Sequence, residues 1–402
     1  MNKNNITVIE LRMMMSWRKS MVIVILVIAA FSGPFGGNMI LPLFRHIGTD
    51  FNVNQFYLGL TITLYMIPFC ILQLFSGMIS DMFYGRRKML LLGAIIYSLG
   101  ALSSYFSPSI TVFLLSRMLQ GIGSAFITPI SMALVGDVFE ADVRGKIMGF
   151  GALSTTLGAT LGPLVGGFIG LIYWRYVFLV MLSFGLILLS LVYFFLPEVD
   201  FERSGGKEIF TTLKYGIFNF YVILIGFMGL ALFFTRLSIY TFLSNIVLYS
   251  PYNLPSDLWG FYLFAAGLGG VAASLISGFL TDFVGRRKVV LIGFLSLDFI
   301  ISLYLLIDWF RYLPLLLFTM GFIITFSFTP LNTLAVEIDP KLRGTISSIY
   351  GSFRFIGYAL GPVAPYPVFV LYGFRGVIFL DITLISAGFL LFLYLFRETT
   401  IS

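Results

Sequence analysis

The chain has 402 residues, of which 59% are hydrophobic and 11% charged, and its mean hydropathy is +0.99. A soluble fold of this composition would have too little polar surface to cover itself, which excludes the soluble globular classes and favours a lipid-embedded protein. The net charge of +7 is explained by the unequal distribution of Lys and Arg described below, so it does not support nucleic-acid binding. The single cysteine, Cys70, excludes an internal disulfide and a cysteine-based metal cluster.

Apolar runs of about 20 residues follow one another along the chain, and this is the length that crosses roughly 30 Å of hydrocarbon. A segment inside the bilayer must satisfy its backbone amides internally, so runs of this length predict helices and not strands. The sequence therefore predicts an all-α membrane protein with twelve transmembrane helices, over residues 20–44, 56–80, 88–106, 110–135, 146–171, 176–196, 218–243, 256–280, 288–307, 312–336, 345–371 and 375–396.

Lys and Arg are distributed unequally between the two sides. With the N-terminus placed in the cytoplasm, eighteen of them fall in inner loops and termini, and the outer loops keep four, Arg45, Arg175, Arg311 and Arg375. This bias predicts a multi-pass protein of the plasma membrane with both termini cytoplasmic. The first 17 residues lack a signal-peptide cleavage site, so predicted helix 1 is expected to be an uncleaved signal anchor.

The second half of the chain repeats landmarks of the first. Gly85-Arg86-Arg87-Lys88 recurs as Gly285-Arg286-Arg287-Lys288, 200 residues later (286 − 86 = 200). Further landmarks recur in the same order at offsets of 199 to 201, among them Thr128-Pro129 as Thr329-Pro330, Arg144-Gly145 as Arg343-Gly344, and Trp174-Arg175 as Phe374-Arg375. An internal duplication predicts two pseudo-symmetric six-helix bundles, over 1–196 and 218–402, joined by a cytoplasmic linker over 197–217.

A Gly and an Asp precede each copy of the basic tetrapeptide, as Gly77-x-x-x-Asp81 in the first half and Gly278-x-x-x-Asp282 in the second. In this motif pair, and over its whole length, the chain resembles the major facilitator superfamily, in which the motif occupies the loops between helices 2 and 3 and between helices 8 and 9. The resemblance implies the superfamily fold and transport by alternating access around a central cavity.

In that family the loop arginine pairs with an acid at the cytoplasmic end of helix 4, which implies pairing of Arg86 with Asp137 and, in the second half, of Arg286 with Glu337. Together with the motif acids Asp81 and Asp282, such pairs would latch the two halves on the inside while the cavity opens outside. The first copy has three residues between Asp81 and Gly85 where the second has two, so the sequence leaves open whether Arg86 reaches Asp137.

Predicted helix 4 contains Arg117-x-x-Gln120-Gly121, which matches the family pattern for this helix. Arg117, Gln120, Ser124 and Thr128 share one face of the helix, and the other faces are apolar. An intramembrane arginine costs several kcal/mol unless it is solvated or paired, so this face is expected to line the water-filled cavity. The alternative is an arginine held by backbone carbonyls.

Predicted helix 5 carries a series of small residues and one proline, namely Gly158, Gly162, Pro163, Gly166 and Gly167. Glycines at this spacing allow another helix to pack backbone to backbone. The segment also resembles the motif that marks the drug and metabolite proton antiporter branch of the superfamily. An ordinary packing face explains the glycines equally well, so the step to antiport depends on the resemblance.

Predicted helix 1 has Asn38 before Leu41-Pro42, where proton-driven exporters of this kind often have an acid. Asn38 and Arg117 lie at about the same distance from the outer ends of their helices, so we expect them to be neighbours. An Asn–Arg pair cannot take up a proton, and helix 1 therefore lacks a protonation site.

The remaining membrane charges lie in the second half. Arg236 with Tyr240, and Arg354 with Tyr358, are i, i+4 pairs expected to line the cavity, as are Tyr65 and Gln73 in predicted helix 2. The candidates for proton coupling are Asp298 and Asp381, and structural pairing is the alternative for each.

No feature of the sequence supports an enzyme. The single histidine, His46, lies in an outer loop, and no phosphate-binding glycine-rich loop followed by Lys-Ser/Thr is present. We expect proton-coupled efflux of drugs or metabolites by a secondary transporter; an organic anion transporter and a sugar-type symporter or facilitator are the alternatives. The expected partners are a small-molecule substrate and the lipid bilayer, and we expect a monomer with no metal and no cofactor other than a proton gradient.

Overall fold

The structure is a computed structural model of the chain, and it describes residues 3–80, 85–196, 219–339 and 342–398. The regular elements of these residues are all helical. The twelve long helices are α1 (Lys3–Asn38), α2 (Gln55–Ile79), α3 (Gly85–Tyr105), α4 (Ile110–Val138), α5 (Ala141–Gly170), α6 (Tyr176–Phe195), α7 (Phe220–Val247), α8 (Ser256–Val284), α9 (Arg286–Leu306), α10 (Leu313–Glu337), α11 (Arg343–Leu360) and α12 (Tyr366–Glu398).

A 3-10 turn (Leu41–Leu43) and a short helix (Phe44–Phe51) follow α1. Within the described residues, eleven helices are long and apolar enough to cross a membrane; α11 is the long helix not among them. The predicted linker over 197–217 and the motif residue Asp81 lie outside the described residues. The prediction of an all-helical membrane protein with twelve long helices is confirmed.

The predicted bounds of the last two helices are wrong. Predicted helix 11 runs to residue 371, but α11 ends at Leu360 and α12 begins at Tyr366. Pro362 and Pro365 lie between them, and proline can neither donate a backbone hydrogen bond nor follow a helical residue easily. Inside α12 the backbone breaks at Gly373, where φ is 64° and ψ −161°, a conformation that glycine adopts without strain.

The two halves repeat the same backbone contacts. A Cβ built on Gly162 would lie 2.5 Å from the carbonyl oxygen of Phe35 on α1, and one built on Gly361 would lie 2.6 Å from that of Phe234 on α7. Both members of the second contact follow those of the first by 199 residues (361 − 162 and 234 − 35). The same close approach of two helices is therefore built twice, as the predicted pseudo-symmetry requires.

We call the end of the bundle that carries the turns at Gly85 and Gly285 the basic end. At the opposite end, α5 of the first half packs against α8 of the second, and a Cβ on Gly267 would meet Thr160 at 2.6 Å. Toward the basic end, a Cβ added to Gly149 of α5 or Gly278 of α8 would meet no atom within 4 Å. These two helices are thus in contact at the opposite end and diverge toward the basic end.

A second contact between the halves joins α2 to α11. The Thr63 hydroxyl donates a 2.6 Å hydrogen bond to the carbonyl of Ala359, and the thiol of Cys70 lies 3.3 Å from the carbonyl oxygen of Ser352. This contact reaches the middle of both helices. Among the described residues, the contacts that join the two halves therefore lie at the opposite end and in the middle of the bundle.

Candidate functional site

Arg117 lies in a closed polar cluster inside the first half. Its side chain is 0% exposed, and its Nε donates a 3.2 Å hydrogen bond to the carbonyl of Thr61 on α2. Nη1 donates to Gln120, and the guanidinium lies 4.6 Å from the ring centroid of Tyr65. The Tyr65 hydroxyl is 2.6 Å from the Ser124 hydroxyl. Arg117 is thus held by a carbonyl, an amide and an aromatic face, while its Nη2 is buried without a hydrogen-bond partner among the described residues.

The expectation that this face of α4 lines water does not hold in this conformation. Gln120 is 0% exposed and Ser124 is 2% exposed; of the four predicted positions, only Thr128 is partly exposed. The cause is close helix packing, because a Cβ added to Gly121 would overlap the backbone of Tyr65 on α2. The alternative reading of Arg117, an arginine held by a backbone carbonyl, describes the observed geometry. A substrate role for this face stays a prediction for another conformation.

Asn38 does not pair with Arg117. Its amide donates a 2.7 Å hydrogen bond to the carbonyl of Pro34, one turn earlier in α1. Its Cβ would be 3.2 Å from a Cβ on Gly162, so it lies on the side of α1 that faces α5. The expected equal distance from the outer helix ends is also not observed, because predicted helix 1 runs to residue 44 but α1 ends at Asn38 itself, whereas Arg117 lies seven residues after the first residue of α4, Ile110 (117 − 110 = 7).

The cavity-lining candidates of the second half come together. Arg236 and Tyr240 on α7 lie near Tyr358 on α11, and Arg236 Nη1 is 3.4 Å from the Tyr358 hydroxyl. The Arg236 guanidinium is also 5.6 Å from the ring centroid of Tyr240. Arg236 and Tyr358 are partly exposed, whereas Tyr240 is buried. The two i, i+4 pairs predicted from separate helices therefore form one cluster.

Arg354 lies beside this cluster, inside a group of aromatic rings. Its guanidinium is 5.4 Å from the ring centroid of Phe233, 5.2 Å from that of Phe328 and 4.5 Å from that of Phe355. These rings belong to α7, α10 and α11. Phe233 also packs on Tyr358, with 4.9 Å between the ring centroids. The arrangement holds the guanidinium in place by cation–π contacts from three helices.

The two membrane carboxyls are not partners of these arginines. Asp381 on α12 is 0% exposed and accepts a 2.9 Å hydrogen bond from Ser238 on α7. Asp298 on α9 accepts one of 2.8 Å from Ser386 on α12. Among the described residues, no carboxylate lies within 4 Å of Arg117, Arg236 or Arg354. Within the part of the chain that the structure describes, the three interior arginines therefore have no carboxylate counter-charge in contact.

The loop arginines at the basic end have carboxylate partners. Arg86 Nε lies 2.9 Å from Asp137 Oδ2, so the extra residue in the first loop does not prevent this contact. Arg286 forms the equivalent ion pair with Glu337. Both pairs lie within one half, and neither bridges the two halves in this structure. Asp282 is exposed at the end of α8, and no described residue forms an ion pair with it. Roles as a latch stay predictions.

The glycines of α5 serve two different contacts. Gly158 and Gly162 approach the backbone of α1, with a Cβ on each at 2.5 Å from a carbonyl oxygen, and Gly166 approaches the backbone of Met39, the residue that follows α1. A Cβ on Gly167 would instead overlap the backbone of Ser256 on α8, in the other half. The carbonyl of Pro163 likewise faces Gly260 of α8. One motif therefore packs both inside its bundle and across the two bundles.

Gln73 on α2 is partly exposed, and its amide nitrogen is buried without a partner among the described residues. Its predicted place in the cavity lining stays a prediction. The described residues hold no group of three His, Cys, Asp or Glu side chains that could bind a metal ion.

Sequence reasoning missed two polar clusters. At the opposite end, Asp50 lies 2.8 Å from Arg175 and accepts a 3.2 Å hydrogen bond from the indole of Trp174. At the basic end, Arg144 donates a 2.6 Å hydrogen bond to the carbonyl of Gly136 and so satisfies the end of α4. Both arginines belong to the repeated landmarks, and that repetition is the signal that could have identified them.

The comparisons with known proteins agree with this architecture. The family model of the Major Facilitator Superfamily matches residues 26–362 and 225–401. A bicyclomycin resistance protein homologue of Haemophilus influenzae is 29% identical over 366 residues, covering 86% of this chain and 90% of that protein. A bacillibactin exporter of Bacillus subtilis is 30% identical over 379 residues, covering 87% of this chain and 92% of that protein.

Among solved structures, a bacterial homologue of the human lysosomal transporter Spinster, in an inward-facing and occupied conformation, superposes with a TM-score of 0.77 at 15% identity. That superposition covers 94% of this chain and 97% of the other. At this identity the likeness shows the fold alone.

Proposed function

The chain belongs to the major facilitator superfamily, and from this premise we propose that it is a secondary transporter that exports small organic molecules across the plasma membrane by alternating access. The observation that carries the proposal is the pattern of contacts between the halves: among the described residues they join at the opposite end, from which we infer a cavity between them that opens at the basic end. A pair of bundles joined at one end is one end state of alternating access.

The direction of transport is supported by two arguments. The excess of Lys and Arg at the basic end supports a cytoplasmic position for that end, and in this orientation the cavity would load from the cell interior. Two relatives of similar length are named as a bicyclomycin resistance protein homologue and a bacillibactin exporter. Export of drugs or metabolites is therefore the reading that this conformation and these relatives favour.

Proton coupling would use Asp381. Its carboxyl is fully buried between α12 and α7, and among the described residues it has a hydroxyl partner and no cation. An ionised carboxylate in such a place is costly, so gain or loss of a proton would change the contact between the two helices. Ser238, its partner, lies two residues after Arg236 on α7. Movement of α7 would connect the carboxyl to the cavity.

The experiment that tests the function is reconstitution into proteoliposomes with an imposed pH gradient. We expect the gradient to drive accumulation of a fluorescent amphipathic drug, and a protonophore to abolish it. Equal uptake with and without the gradient would contradict proton coupling, and no uptake by vesicles with correctly folded protein would contradict export of this cargo class.

The orientation has its own test. Lys146 lies exposed at the basic end and Arg311 exposed at the opposite end. In intact cells a membrane-impermeant maleimide should label Arg311→Cys and leave Lys146→Cys unlabelled. The reverse pattern would overturn the topology.

A further inference from the structure

We propose that the cavity binds an organic anion that carries an aromatic ring, and that Arg354 and Arg236 of the second half contact its anionic group. The proposal deepens the export function above, because it names the chemical class of the cargo, and it rests on that function. The sequence pointed to Arg117 for such a contact, but Arg117 is 0% exposed, and its Nε and Nη1 are bonded to Thr61 and Gln120, which leaves Nη2 as its one nitrogen without a partner among the described residues.

The first step is the state of the two guanidiniums. The Nε atoms of Arg236 and Arg354 are both buried without a hydrogen-bond partner among the described residues. Arg236 has one long hydrogen bond, of 3.4 Å, to the neutral hydroxyl of Tyr358. Arg354 has ring faces as its described contacts. Each guanidinium has five N–H donors, so most of this donor capacity is left for a ligand or for water.

The second step is charge. Arg236 and Arg354 are each partly exposed, but their Nε atoms are buried. Two neighbouring cations repel, and the partial removal of each guanidinium from water is costly unless a counter-charge is present. Both carboxyls of the second-half interior are engaged elsewhere, Asp381 with Ser238 and Asp298 with Ser386. A negatively charged ligand would supply the missing counter-charge, and a cationic ligand would add a further repulsive charge. A carboxylate, sulfonate or phosphate group matches the planar donor fork of arginine.

The third step is the aromatic wall. Phe233, Phe328 and Phe355 surround Arg354, and Phe355 packs on Phe69 of α2 with 4.8 Å between the ring centroids. Phe69 belongs to the first half, so this wall joins the two bundles. A ligand ring stacked here would touch both halves, and its binding energy would depend on how they are placed relative to each other. Recognition of the ring and closure of the transporter would thus use the same contact.

The test uses three probes that share one ring system and differ in charge: 2-naphthoate, 2-naphthol and 2-naphthylmethylammonium. Binding to the purified full-length protein in lipid nanodiscs is measured by titration calorimetry, without any transport step. We expect 2-naphthoate to bind at least about tenfold more tightly than 2-naphthol, because hydrogen bonds between charged groups are stronger than those between neutral groups. The ammonium should bind most weakly, because the two guanidiniums repel its positive charge.

The variants are Arg354→Gln and Arg236→Gln, with Arg311→Gln as a matched control, since Arg311 lies exposed at the opposite end. Each cavity variant should weaken 2-naphthoate by about tenfold to a hundredfold and leave 2-naphthol within about twofold. The control should change neither affinity. Retained binding of 2-naphthol shows that a variant is folded, and if Arg354→Gln binds neither probe, Arg354→Lys should restore the preference for the anion.

Equal affinity of the wild-type protein for 2-naphthoate and 2-naphthol would overturn the proposal, as would the absence of binding by 2-naphthoate. Full displacement of 2-naphthoate by equimolar chloride or phosphate would show an inorganic anion site and would overturn the aromatic part. Binding as expected in a protein that drives no transport in proteoliposomes would refute the export function and leave the anion site standing. Transport of a drug without selective binding of 2-naphthoate would support the export function and refute the anion site.

Discussion

Substitution of Gly162 by alanine tests the close approach of α1 and α5 in the first bundle, whose equivalent in the second bundle is made by Gly361. The added Cβ would lie 2.5 Å from the carbonyl oxygen of Phe35 and 3.2 Å from the Cβ of Asn38, while ordinary contact begins at 3.4 Å. Relief of the first overlap requires α1 and α5 to separate by about 0.9 Å (3.4 − 2.5), because the obstructing atom is backbone and cannot rotate away. Overpacking of this kind costs about 1–3 kcal/mol.

Gly149→Ala is the matched control, because it lies on the same helix and a Cβ there would meet no atom within 4 Å. Alanine improves helix propensity by up to about 1 kcal/mol at either position, so the difference between the two variants isolates the steric cost. We expect Gly162→Ala to melt roughly 2 to 10 °C below Gly149→Ala in detergent, measured by intrinsic fluorescence. Equal melting temperatures would refute the close approach of α1 and α5.

Three further outcomes are expected. Asp381→Asn should abolish substrate-driven proton flux, measured with an entrapped pH dye, because an amide cannot exchange a proton; unchanged flux would exclude this carboxyl as the carrier. Ser352→Cys should form an oxidative cross-link with Cys70, since the native thiol lies 3.3 Å from the carbonyl oxygen of residue 352, and the cross-link should block transport until a reductant is added. Cys70→Ser in the same background should prevent the cross-link. Asp137→Asn removes the ion pair between Arg86 and Asp137, which lies at a partly exposed site. Such pairs contribute about 0.2–1 kcal/mol, so the transport rate should change by up to about fivefold and the ligand affinity should stay constant. A large loss of ligand affinity would contradict a role of this pair in the balance between conformations.

The fold could be predicted from the long apolar runs and the internal repetition, whereas the contact of Arg86 with Asp137 at the basic end was implied by the resemblance to the superfamily and was carried to the second half by the repetition. An offset of 200 residues relates Arg86 and Asp137 to Arg286 and Glu337 (286 − 86 and 337 − 137), and both pairs are present in the structure. Within a bilayer, few structures other than a helix are available to each repeated segment, because every backbone N–H and C=O group must find its hydrogen-bond partner inside the protein. Duplicated letters therefore predict duplicated contacts.

The surroundings of the interior charges could not be predicted in the same way. Position along a helix follows from counting residues, but the direction in which a side chain points depends on how neighbouring helices rotate and how closely they approach. Gly121 illustrates this, since its lack of a side chain lets α2 cover Arg117. No pattern in the sequence measures how closely two helices approach, and the predicted neighbour of Arg117, Asn38, bonds to its own helix instead.

The duplication preserves packing but redistributes charge. Met181 and Asp381 are related by the 200-residue offset (381 − 181 = 200). Met181 lies 3.9 Å from Arg117 inside a sealed cluster, whereas Asp381 bonds to α7, the helix that carries Arg236. None of the three interior arginines has a described carboxylate within 4 Å, but the first half encloses its arginine completely, whereas the second half leaves its two arginines partly exposed and holds the Asp381 carboxyl against α7. An anion that reaches Arg236 and a proton that reaches Asp381 would both act on α7, from its two sides. Coupling between cargo and proton then needs no charged residue in helix 1, which is where this chain has Asn38.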